Sequence, residues 1–241
     1  MATTETPWSG NQAAKLYLQS GQFSATLKTS LYVGGVDVWA NDLEWDGTDT
    51  VWIGMQNPKL HKQSGKFSAT LKTSLSISAI DNAPLGISSD GTNTPWCGDG
   101  GQKLYLQSGQ FSATLKTSLD VSGVDARPDS VSYDGTNTPW CGGSADKLYL
   151  QSGQFSATIK TSLYVGGVDS SPTGISWDGT ETPWNGRAAD KLYLQSGQFS
   201  ATLKTSLDVS GVDNNITGIS TDDINSRLGI ASAFTPTAVI F

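Results

Sequence analysis

The sequence predicts an all-β ring, a five-bladed β-propeller with four-stranded blades. Three observations carry this. Residues recur at a spacing of 44: Lys15, Lys59, Lys103, Lys147 and Lys191; Trp8, Trp52, Trp96, Trp140 and Trp184; Asp46, Asp90, Asp134, Asp178 and Asp222. Within one copy the apolar residues alternate with a period of two, and turn residues break the alternation often enough for four short strands. The repeat is also out of phase with the chain. It opens on a second strand, PWSG (7–10), and its last first strand, TGISTDD (217–223), has no second strand after it, Leu228 standing where the next Trp would fall. Residues 217–222 therefore complete the blade begun by residues 7–31, which closes the ring and hides its sheet edges.

Each element follows from local chemistry. PTGISWDG (172–179) reads as an inner strand ending in an Asp-Gly turn. TETPWNG (180–186) reads as a second strand starting at or after Pro183, since Pro has no N–H for a ladder. KLYLQSG (191–197) is a third strand ending at Ser-Gly, and QFSATLKTSL (198–207) is a fourth, with Phe199, Ala201, Leu203, Thr205 and Leu207 on one face. The block KLYLQSGQFSATLKTSL recurs unchanged at 15–31, 103–119 and 191–207, and the copy at 59–75 diverges most. The copies run 4–47, 48–91, 92–135, 136–179 and 180–223, a tail covers 224–241, and the whole of 1–241 is expected to form one domain. The apolar end of the tail, Ala238 to Phe241, is expected to pack on the ring, since apolar surface costs about 25 cal/mol per Å² in water.

The pattern P-x-G-I-S-x-D-G, then W-x-G, then K-L-Y-L-x-S-G resembles the short repeats of NHL-type β-propellers. The count of five is similar to the tachylectin-2-type lectin propellers. The resemblance covers about 220 residues and implies the fold. Sugar binding is what the lectin likeness adds, with no site residue transferable position by position.

Charged residues make up 15% of the chain and the net charge is −7, which disfavours nucleic acid as a partner. Eight Trp, seven Tyr and seven Phe argue against disorder. No run approaches 18 apolar residues and MATTETPWSG does not read as a signal peptide, so a soluble protein with no membrane partner is expected. A monomer is expected, with an oligomer formed through the tail as the alternative.

Catalytic chemistry has little to draw on. His61 stands alone where the other copies have Tyr17, Tyr105, Tyr149 and Tyr193. Cys97 and Cys141 occupy equivalent places in neighbouring blades, beyond disulfide reach and too few for zinc, so they read as structural thiols. Some five-bladed propellers are glycosidases, which need a pair of unlike carboxyls. The chain has only Glu5, Glu44 and Glu181, and Glu44 is the unusual acid, replacing Ser88, Ser132, Ser176 and Ser220. No enzyme, metal or cofactor is expected. The Asp46 series reads as turn residues, and Asp37, Asp81, Asp125, Asp169 and Asp213 as ties for the connections between blades.

The repeated Trp have two readings. They fill the space between blades, or they offer platforms on which a pyranose ring stacks. On the second reading Trp8, Trp52, Trp96, Trp140 and Trp184 bind ligand, joined by Trp39 in a connection between blades. The segments that differ most among copies are NQAA, MQNP, DGGQ, GSAD and RAAD, and the stretches 38–42, 82–85, 126–129, 170–173 and 214–217. In a propeller these share one face. It is acidic, with Asp42, Asp99, Asp129, Asp146 and Asp190 among its loops, and it is the expected face for a glycan or protein partner. The leading expectation is a non-enzymatic multivalent glycan-binding module. The second is a structural or protein-interaction scaffold such as a virion or surface component, and the third a glycosidase-like enzyme.

Overall fold

The computed structural model describes residues 5–221. The tail and Asp222 lie outside the described residues. The chain enters on β1 (Thr6–Gly10), β2 (Lys15–Gln19) and β3 (Leu27–Tyr32). Four complete blades follow. The second holds β4 (Ala40–Trp45), β5 (Thr50–Gly54), β6 (Lys59–Gln63) and β7 (Leu71–Ser76). The third holds β8 (Pro84–Ile87), β9 (Thr94–Gly98), β10 (Lys103–Gln107) and β11 (Leu115–Asp120). The fourth holds β12 (Pro128–Val131), β13 (Thr138–Gly142), β14 (Lys147–Gln151) and β15 (Ile159–Tyr164). The fifth holds β16 (Pro172–Ile175), β17 (Thr182–Gly186), β18 (Lys191–Gln195) and β19 (Leu203–Asp208). Then β20 (Ile216–Ile219) returns to pair antiparallel with β1, giving the first blade the order β20-β1-β2-β3. The architecture is the five-bladed propeller, with the shared closing blade that the phase of the repeat predicts. Among the described residues no helix is long and apolar enough to cross a membrane.

Two strand boundaries differ from the sequence reading. Pro183 lies inside β17, paired with Leu194, and the strand begins one residue earlier at Thr182. Its carbonyl accepts the Ser176 N–H just past the end of β16, where the missing Pro N–H takes no bond from the ladder. The outer strand begins at Leu203, not at Gln198. Residues 197–201 instead form a loop closed by Ser196 N–H on the Thr202 carbonyl at 2.9 Å, with the Gln195 amide donating to the Ser200 carbonyl at 2.7 Å. Phe199 turns through φ 61° in that loop and drops into the core.

The core lies between blades. In one cluster Cys97, Leu104, Leu106 and Val121 of the third blade meet Val131, Trp140, Tyr149 and Phe155 of the fourth. Each repeated Trp sits on a second strand, enclosed between sheet neighbours and the preceding blade, and each is 0% exposed. Each stacks on the residue opposite it in the third strand, as Trp96 does on Tyr105 with ring centroids 4.0 Å apart and planes 16° apart. Burying about 150–250 Å² per indole at about 25 cal/mol per Å² makes each of these five residues a large apolar contribution to holding the blades together.

Candidate functional site

The repeated Asp residues set the geometry of one face. Asp81 Oδ2 accepts the Gly101 N–H at 2.8 Å and the Tyr105 hydroxyl at 3.0 Å, while its Oδ1 accepts the Ala83 N–H at 2.8 Å. Asp125, Asp169 and Asp213 repeat the arrangement on Tyr149, Tyr193 and Tyr17. Burial, and then the adjacent carboxylate, raise those Tyr hydroxyls well above their usual range. The carboxylate thus ties the connection between blades to the turn between second and third strands. A second tie runs beside it: N–H groups of Asn11, Met55, Asp99, Gly143 and Arg187 donate to the carbonyls of Asn215, Trp39, Ala83, Arg127 and Ser171 at 2.9–3.2 Å. The two sets of variable segments therefore share a face, as expected. The other Asp ring works as turn chemistry, with Asp46 Oδ1 accepting N–H groups from Thr48 at 2.9 Å and Asp49 at 2.7 Å.

The second blade is the exception. His61 replaces the Tyr, stacks on Trp52 at 4.1 Å, and leaves both ring nitrogens without a partner. Burial drives its pKa down to about 4, with Lys59 adding to the effect and Asp37 opposing it.

At the axis every inner strand carries a one-residue bulge, skipping Asn41, Leu85, Asp129, Thr173 and Thr217 in the register with its neighbour. A bulge re-aims the extra residue, and here all five turn toward one cavity of about 240 Å³. Asn11, Met55, Asp99 and Arg187 line its rim from the turns, and Ala83 and Arg127 from the connections between blades. All eleven lining residues belong to three columns of the 44-residue repeat. In these columns the copies differ: Asn, Met, Asp, Gly, Arg in the first; Asn, Leu, Asp, Thr, Thr in the second; Trp, Ala, Arg, Ser, Asn in the third.

The bulged residues also bridge blades. Asn41 donates to the Pro84 carbonyl at 3.2 Å, Thr173 to Ile216 at 3.2 Å and Thr217 to Ala40 at 3.0 Å. Leu85 and the Asp129 carboxyl make no such bond. In those two blades a thiol does so instead: Cys97 Sγ lies 3.3 Å from the Pro128 carbonyl and Cys141 Sγ 3.7 Å from that of Pro172. Both cysteines are buried and unbridged, in agreement with their structural reading.

Asp129 is the charged centre of the cavity. Its Oδ1 pairs with Arg127 Nε at 2.9 Å, while its Oδ2 is buried without a partner. Burial pushes its pKa up to about 7, with Asp99 and Asp125 adding to the rise and Arg127 and Arg187 opposing it. Gly143 makes the room, since a Cβ there would overlap Asp129 Oδ2. One residue deeper, Asp42 crosses the axis: its Oδ2 takes the Ile87 N–H at 3.1 Å and the Ser130 hydroxyl at 2.7 Å. Burial raises its pKa well above the usual carboxylate range, with Glu44 adding to the rise. Glu44 in turn accepts hydroxyls from Ser88 and Ser220.

Two expectations about residues are corrected here. Trp8, Trp52, Trp96, Trp140 and Trp184 offer no face to a sugar, because all five are packed between blades; only Trp39, at 46% exposure, presents one. Asp42 and Asp129 are not loop acids but buried residues of β4 and β12. Among the described residues no group of three acids, His or Cys is placed to hold a metal ion.

No family model matches the sequence, and no curated protein does. Solved structures do. A chain of a nidogen/laminin complex aligns with a TM-score of 0.61 at 11% identity, over 91% of this chain and 98% of that one. Glutaminyl cyclase from Myxococcus xanthus aligns at 0.53 and 11% identity, over 76% of this chain and 70% of that one. A catalytically inactive virginiamycin B lyase from Staphylococcus aureus, solved with quinupristin, aligns at 0.52 and 12% identity, over 89% and 69%. Enzymes and a protein complex appear together among these neighbours, so what this chain has in common with them is the propeller fold.

Proposed function

We propose that this chain is a non-enzymatic binding module that holds one small ligand in the axial cavity. The observation that supports this reading is the origin of the lining: strands are nearly copied from blade to blade, while every lining residue comes from three columns in which the copies diverge. A rigid ring presenting a varied rim is how a scaffold carries a specific site. The non-enzymatic part rests on the enclosure of the reactive groups. Asp42 and Glu44 are saturated by Ser hydroxyls and backbone N–H groups, and His61 is packed against Trp52. Five-fold sugar binding on the repeated Trp is not part of the reading, so a glycan would be held as one sugar unit at one site.

The test is a ligand screen by thermal shift, with a glycan array beside it, repeated on Leu85→Trp, which fills the cavity. A hit that disappears in that variant supports the reading, and one that persists unchanged refutes it. The second reading, a protein-interaction scaffold, is favoured by Trp39 and Val38, exposed side by side on the connection between the first and second blades.

A further inference from the structure

The cavity is divided by chemistry. Asp99 stands on its rim in the third blade and Arg187 in the fifth, with the Asp129–Arg127 pair between them in the fourth. Neither Asp99 nor Arg187 has an ion-pair partner within 4.0 Å among the described residues. The two Asp and two Arg balance in formal charge, so a ligand of net charge gains little, while one carrying both signs is attracted at both ends. Met55, Ala83 and Leu85 line the cavity from the second and third blades and supply the apolar wall.

The unpartnered Oδ2 of Asp129 is the second, independent sign. A buried carboxylate oxygen with no donor is costly, and a packed site normally removes such a defect. Here Gly143, the only glycine in its column, leaves the oxygen room without giving it a donor. The oxygen is shut off from direct contact, so its charge acts on an occupant of the cavity through space, and an ammonium is the group that charge favours. The cavity of about 240 Å³ lies at or below the lower limit of ordinary ligand pockets, which restricts the occupant to a molecule of amino-acid size.

We propose that the axial cavity binds a free amino acid with an apolar side chain, its ammonium on Asp99 near the Asp129–Arg127 pair, its carboxylate on Arg187 and its side chain against Met55 and Leu85. This rests on the reading of the cavity as the binding site and names its ligand class. Arg187 gives the carboxylate a fork of donors, and Arg127 remains to hold Asp129 in place.

Isothermal titration of the full chain with L-methionine, N-acetyl-L-methionine, which has no ammonium, and L-methioninamide, which has no carboxylate, tests it. L-methionine should bind saturably and each blocked analogue at least tenfold more weakly. Asp99→Asn should weaken L-methionine at least tenfold. Arg187→Gln, on the half-exposed rim and harmless to folding, should abolish the preference for L-methionine over its amide. Lys116→Gln on the outer strand should change nothing. If the blocked analogues bind as well as L-methionine, the zwitterion assignment is wrong. If a saccharide binds instead and is lost in Leu85→Trp, the assignment is wrong while the cavity remains the binding site. If no ligand of any class binds, both fail.

Discussion

The Asp42 carboxyl receives the Ser130 hydroxyl at 2.7 Å although the two residues belong to blades that are not neighbours. The contact crosses the propeller axis, where the other copies place Gly86, Gly174 and Gly218. Gly218 has to be glycine, because a Cβ there would overlap Asp42 Oδ1. One acid therefore fills the space that three glycines leave, with its charge suppressed by burial.

That suppression fixes the effect of Asp42→Asn. A carboxyl whose folded pKa is raised keeps its proton in the native state after the unfolded chain has lost it, so native stability falls as pH rises above about 4. Asn keeps the shape, and its carbonyl still accepts the Ile87 N–H and Ser130 hydroxyl. The variant should match the parent near pH 4 and exceed it by about 1–3 kcal/mol at pH 8. Urea melts at both pH values measure this, and equal gains at both would contradict the assignment.

His61→Tyr should stabilise the second blade. It restores the hydroxyl that the four other blades direct at the Asp of the connection, and about 1 kcal/mol is expected for one such bond. It also removes a titration. A His with a depressed folded pKa costs stability as pH falls from about 6.5 toward 4, because the unfolded chain takes the proton first. The parent should lose stability across that window by up to about 3 kcal/mol more than the variant does.

Cys141→Ala should cost about 1–2 kcal/mol by removing the thiol's bond to the Pro172 carbonyl, and Cys141→Ser should recover most of it. Burial raises both thiols well above their normal range, with Asp42 adding most to Cys97 and Asp129 most to Cys141. Neither should react with iodoacetamide until the ring unfolds. Labelling of the native protein at the rate of free cysteine would disprove the burial.

Replacing a repeated Trp tests the corrected role directly. Trp184→Ala should cost about 3–5 kcal/mol, in line with large-to-small changes in a packed core. Trp39→Ala should stay within about 0.5 kcal/mol of the parent, as exposed substitutions do. A Trp184 variant as stable as the parent would return the repeated indoles to the surface.

The fold was legible in the sequence because the 44-residue period and its phase leave few alternatives: an inner strand after the last complete copy and none before the first require a shared blade. The burial of the Trp was harder to read. Trp96 between Pro95 and Cys97 looks the same whether its second-strand face meets another blade or water, and only the spacing of blades decides. The cavity left a usable trace. The columns of Asn11, Asn41 and Trp39 are where the copies disagree, and aligning them marks a face. That the three columns converge depends on the bulge at residue 41 and its equivalents, which no residue type announces. Phe199 misled for a related reason, since its place in the alternation masks a left-handed turn.

The pairing of β20 with β1 bears on how the ring assembles. Four blades fold from hairpins contiguous in sequence, whereas the first waits for strands about 200 residues apart, a slow and entropically expensive closure. Near-identical copies make that step ambiguous. The stretch TGIS at 173–176 is the same as at 217–220, and TPWSG in β1 differs from TPWNG in β17 by one residue. Either inner strand, or one from a second molecule, offers β1 the same backbone. The distinction lies in the side chains that cross the blade: Ser9 with Thr217, hydroxyl to hydroxyl at 3.2 Å, against Asn185 with Thr173 at 2.7 Å. Divergence near the axis thus also serves as an address, telling each strand which partner to accept. Erasing it by making Ser9 an Asn should leave the equilibrium fold in place and increase swapped dimers when the chain refolds at high concentration.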